Sequence, residues 1–144
     1  MKIPEYVTVD EVKRVCKELG IRNWTELESP EVPAEEAGII LAELDLGGLE
    51  VEPEEFRKGL EVELEHGVMF KNANVTNNHP LLTGMIVLAH MYEMLDYYMR
   101  LEVAEIEGDI FKALKAGNKE KLEKYQKKLI AARAELSAHE NKYK

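Results

Sequence analysis

Between Pro80 and Ala116 the chain contains no second proline, and apolar side chains recur by threes and fours: Met85, Leu88, Tyr92, Leu95, Met99, Val103, Ile106 and Ile110. That spacing is the seam of an amphipathic, coiled-coil-like helix. A second stripe, Leu82, Ile86, His90, Glu93, Tyr97 and Leu101, runs up the opposite side. A helix that is apolar on two sides must be packed on two sides, so the sequence predicts one long central helix with the other elements arranged around it. Gly108 costs such a helix about 1 kcal/mol relative to alanine and is the point at which it would bend.

The remaining elements follow from their start and stop signals. Thr8-Val-Asp-Glu11 reads as a capping box, and Val9, Val12, Val15, Cys16 and Leu19 then keep helical spacing until Gly20. Ile21 to Pro33 holds the breakers Ser29-Pro30 and Pro33, and is expected to be a loop laying Trp24 across the core. A second short helix starts near Ala34, with Glu35 and Glu36 at the positive end of its dipole, and stops at Gly47-Gly48. Pro53 opens a third helix, in which Phe56, Leu60, Leu64 and Phe70 form the apolar face. Lys71 to His79 is an Asn-rich connector, and Gly117-Asn118 turns the chain into a last helix striped by Leu122, Tyr125, Leu129, Ala132, Leu136 and Tyr143.

The fold class expected is all-α, an antiparallel helical bundle with one long central helix and two short N-terminal helices. It forms a single domain over 1–144, in which a short-helix region (1–50) packs on a core of three long helices (53–144). A content of 45% hydrophobic and 33% charged residues with only 5 prolines suits such a folded, helix-rich chain.

No apolar run approaches the roughly 20 residues needed to cross a bilayer, and MKIPEYVTVDEVKR lacks the apolar stretch of a signal peptide; the expectation is a cytoplasmic protein without a membrane partner. A lone cysteine, Cys16, excludes a disulfide framework and a thiolate zinc site. The net charge of −9 argues against nucleic acid as a partner. From Lys119 onward, however, eight Lys/Arg stand against four Glu, so the last helix is basic against an acidic body. An electrostatic match within the molecule or between subunits explains that asymmetry most simply, and the exposed remainder of the long helix is expected to be a homodimer surface. No nucleophile elbow, phosphate-binding glycine loop or dinucleotide fingerprint occurs.

The ligand-grade chemistry is concentrated in one place. Glu63-Leu-Glu-His66 puts a carboxylate and an imidazole one turn apart on one helix, the spacing that di-iron and di-manganese bundles use. His90-Met-Tyr-Glu93 supplies the same pair in reverse order on the next long helix. If the two helices meet, Glu63, His66, His90 and Glu93 form a set suited to iron, manganese or zinc, with Tyr97 as an outer hydrogen-bond donor. An even hairpin would place His66 opposite Gly84, so bringing His66 to His90 requires the connector to absorb a stagger of about six residues. The competing reading needs no metal: pairing Glu63 with His90, or His66 with Glu93, satisfies both buried groups and locks helix register. His79 and His139, near helix ends, are expected to be solvated.

These same residues carry a resemblance. Val62 to Gly67, Asn74-Val-Thr-Asn-Asn-His-Pro-Leu-Leu-Thr-Gly84, Ile86 to Met91, Glu93 and Asp96-Tyr97-Tyr98 resemble a small microbial family of unknown function. Its members share Val-Glu-Leu-Glu-His-Gly, a stretch close to TNVTNDDPLLTGKIALAHL, and Pro-Asp-Tyr-Tyr. The likeness runs from about Thr8 to Glu102, with the second helix as an apparent insertion, and implies no activity. Two departures stand out: His79 replaces the family's Asp, which weakens the expected helix cap, and Leu95 replaces its Pro, which predicts a straight helix where relatives kink. A fainter likeness to ferritin-type bundles rests on the one Glu-x-x-His in the expected order.

Overall fold

The computed structural model describes residues 6–142. It contains six α-helices and, among the described residues, no strand: α1 (Val9–Leu19), α2 (Ala34–Ala42), α3 (Pro53–Met69), α4 (Pro80–Glu93), α5 (Tyr97–Lys115) and α6 (Lys119–Asn141). The chain divides into two compact units, one ending at Leu95 and one starting at Asp96.

In the first unit, α2, α3 and α4 pack on one another and α1 lies against α4. Thr8 caps α1, its Oγ1 accepting from the Glu11 N–H at 3.2 Å. The second half of the capping box does not form, because the Glu11 carboxylate is held by Arg14. Gly20 ends α1 in the left-handed conformation. Trp24 is fully buried as expected, together with Val12, Ile40, Phe56, Leu60 and Val87. Gly84 is what lets α4 approach so closely, since a Cβ there would lie 2.7 Å from Leu44 Cδ1 and 3.2 Å from Phe56 Cζ.

The predicted central helix is two helices. Met94, its N–H closing the last turn on the His90 carbonyl, is extended (φ −153°, ψ 125°), and α5 starts anew after Asp96. The Asp96 carboxylate then accepts from Arg100 one turn into α5, at 3.0 and 2.6 Å. This i,i+4 pair supports the first turn of α5, whereas the Asp96 side chain makes no hydrogen bond to the backbone at the helix start. Periodicity alone cannot register the break, because the apolar spacing continues across the gap.

The buried face of α4 also differs from the expected seam. Thr83, Gly84, Val87, Leu88 and Met91 are buried, whereas Met85 and Tyr92 are exposed. Phe70, expected on the apolar face of α3, is exposed as well, since it follows the last helical turn.

The second unit is a helical hairpin. Ala116 to Asn118 form the turn, with Gly117 at φ +65° and the Asn118 side chain capping α6 by accepting from the Lys121 N–H. Arg100 near the start of α5 meets Glu140 near the end of α6 at 2.8 Å, and Glu107 meets Arg133 further in. The predicted α6 stripe is the less exposed one, with Ala132 buried; Tyr143 lies outside the described residues.

Candidate functional site

Phe56, Leu60 and Leu64, buried one turn apart, fix the rotation of α3 about its axis. That rotation sets Glu63 beside the core, its side chain 15% exposed, facing α4. On α4 the buried Val87 and Met91 fix the rotation in the same way and bring His90 to the junction. Glu63 Oε1 and His90 Nε2 lie 3.6 Å apart, within ion-pair range though longer than a good hydrogen bond. This pairing takes up about half of the stagger that would bring His66 to His90.

The other two members of the predicted set are placed differently. His66 is exposed, with Nδ1 3.4 Å from the backbone carbonyl of Glu63 in its own helix, and Glu93 is exposed at the end of α4. Tyr97 opens the second unit, its ring edge-on to Tyr98 with centroids 5.1 Å apart. Among the described residues, no three His, Cys, Asp or Glu side chains are grouped as the ligands of one ion would be.

A cleft of about 230 Å³ opens beside Glu63, lined also by His66, Val75, Thr76, Thr83 and Ile86 and by residues of the connector; His90 is not among its lining residues. The connector is built by asparagines. Asn77 and Asn78 take left-handed φ values of 50° and 59°, which asparagine tolerates better than most residues. The Asn74 side chain accepts from the Asn78 N–H and donates to the Gly67 carbonyl at the end of α3. Asn78 Nδ2 donates to the Trp24 carbonyl, and Asn77 Nδ2 to that of Val7. Gly67 is required for this: a Cβ there would sit 1.8 Å from Asn78 Oδ1. The Asn run and the glycine closing Glu-His-Gly were thus one constellation, visible in the sequence as a left-handed-tolerant pair three residues before a helix.

Two further polar residues escaped sequence reasoning. Glu36 is a buried hub: its carboxylate accepts from the Arg22 backbone N–H, from Arg22 Nε and Nη2, and from the Trp24 indole. Burial works against its charged form, but the Arg22 and Trp24 donors outweigh it and hold the carboxyl below its ordinary pKa. Glu61 accepts from the Val32 N–H and pairs with Arg57. Both acids serve loop backbone that hydrophobic periodicity does not describe.

The two histidines expected to be solvated are buried. His79 in fact caps α4, with Nδ1 accepting from the Leu82 N–H at 3.3 Å. Burial pushes its pKa down, with Glu11 opposing. Cys16 is buried under Trp24, whose N–H approaches Sγ at 3.5 Å; burial pushes its thiol pKa up, so it behaves as core.

A family model described as a protein of unknown function, DUF5661, matches residues 12–107. The chain belongs to the DUF5661 family. The match takes in most of α1, all of α2 to α4 and the first part of α5, hence the Glu63–His90 pair, the asparagine connector and the break before α5. No curated protein and no solved structure matches the chain. Among the described residues no helix is long and apolar enough to cross a membrane.

Proposed function

We propose that this DUF5661 chain is a non-catalytic helical interaction module in which Glu63 and His90 are a structural polar lock between α3 and α4. The observation that carries the reading is their 3.6 Å approach across the helix pair, with His66 and Glu93 exposed instead of converging on it. A carboxylate this far buried is costly unless paired, and an imidazole from the facing helix supplies the partner. Because the pair joins positions fixed by buried neighbours on both helices, it opposes slippage of one along the other. The cleft beside Glu63 is then a consequence of how the connector is built.

The test is a double-mutant cycle by equilibrium urea unfolding with Glu63→Gln, His90→Asn and the double variant. A coupling of about 0.5–1.5 kcal/mol is expected, the net worth of a typical polar contact. Strictly additive single effects would remove the lock.

The alternative, binding of iron, manganese or zinc by Glu63, His66, His90 and Glu93, draws its support from the carboxylate and imidazole already adjacent and from His66 lying one turn along the same cleft. It requires His66 and Glu93 to swing toward the pair. An ion supplied at stoichiometric concentration should then raise the unfolding midpoint, and His66→Ala should abolish that rise.

A further inference from the structure

The outer edge of the α5–α6 hairpin repeats every seven residues. Arg100 faces Glu140 on the first rung and Glu107 faces Arg133 on the second. Seven residues closer to the turn on each helix, the third rung is Leu114 against Gln126, and Phe111 and Ile130 stand between the second and third. Here the ladder of ion pairs gives way to apolar side chains, and these are open: Phe111 is 67% exposed, Leu114 57% and Ile130 71%. On a hairpin edge that otherwise carries charge, three large apolar groups within one helical turn of each other form a patch of the kind that marks an interaction site.

We propose that this edge is a self-association surface whose occupant is a second copy of the chain. This rests on the interaction-module reading above and names its partner. Charge complementarity selects that occupant. A twofold axis running parallel to the helices in the interface stacks α5 of one copy on α6 of the other at the same level. Each within-chain pair is then repeated between chains: Glu107 meets Arg133 of the second copy, and Arg100 meets its Glu140. The same operation sets Phe111 against Ile130 of the second copy, removing both from water. An isologous contact needs a patch complementary to itself, and a ladder with one acid and one base on each charged rung meets that condition. The three apolar side chains lie beyond residues 12–107, whereas Arg100 and Glu107 of the ladder lie within them.

The experiment is analytical ultracentrifugation of the full chain, of Phe111→Glu and of Ile130→Glu, from low micromolar to roughly 100 μM. Dimer in the parent and monomer in both variants, with unchanged circular dichroism and unfolding midpoints at low concentration, is the result expected. A parent monomeric throughout overturns the proposal, and so does a dimer that survives both substitutions. Orientation is tested by mild oxidation of Phe111→Cys and Ile130→Cys chains, alone and mixed, Cys16 being buried. The mixture should give the cross-linked dimer in clear excess over either chain alone; Phe111→Cys linking to itself as readily overturns the twofold arrangement. A monomeric parent that still shows Glu63–His90 coupling would sink this surface alone, whereas a dimer without that coupling would sink the lock alone.

Discussion

Two side chains of the first unit tie stability to pH, and both signs can be worked out. His79 has a folded pKa below its unfolded value near 6.5, because burial disfavours the charged ring and its cap needs an unprotonated Nδ1. The unfolded chain therefore binds more protons below about pH 6.5. Stability present above that pH falls as pH drops toward the lowered folded value, and His79→Asn, which keeps a capping acceptor without titrating, should flatten urea midpoints measured between pH 7 and 5. Glu36 acts lower. Its folded pKa also lies below the unfolded value, near 4.3 for glutamate, so its contribution is complete above that pH and disappears on further acidification. Glu36→Ala strands the Trp24 indole and the Arg22 donors, at a cost of about 2–4 kcal/mol near neutral pH by chemical unfolding. Little of this was legible in the sequence. Glu36 reads as one of two acids in a helix's first turn, and only the path of the loop carrying Arg22 and Trp24 tells it from Glu35.

Most helix boundaries were legible because they have a local cause, although α2 stops at Ala42, short of the Gly47-Gly48 expected to end it. Thr8 and Gly20, Pro53, and Gly117-Asn118 mark boundaries where the chain needs a cap, a fixed φ or a left-handed residue. The break before α5 was not legible, since the apolar repeat runs on across the extended Met94. Met94 is already extended and α5 starts only after Asp96, so Leu95→Pro should leave helix content unchanged and cost less than about 1 kcal/mol, against about 3 or more for proline inside a helix. Circular dichroism and urea unfolding would settle it; a loss of the larger size would mean that the break is a weaker feature than the extended Met94 implies. The contact of α4 with α2 and α3 gives a further expectation. Gly84→Ala overfills the space between Leu44, Ile40 and Phe56 and should destabilise by about 1–3 kcal/mol, measured the same way.

At the scale of the molecule, the all-helical class and the two short N-terminal helices follow from composition and caps, while the meeting of one acid with one imidazole depends on a connector whose geometry rests on three asparagines and a glycine. Glu63 could be singled out in advance because it falls on an apolar face. The sequence offers His90 as its partner too, but leaves open whether Glu63–His90 or His66–Glu93 forms, because the stagger between α3 and α4 depends on the path of the Asn-rich connector and not on the apolar repeat. The account therefore turns on whether that meeting serves as a lock or as half of a metal centre. Elemental analysis of untagged protein purified without chelator decides it most directly. Iron, manganese and zinc each far below one atom per chain, unchanged in His90→Ala, is the predicted result; close to one atom per chain, lost in His90→Ala, would contradict it.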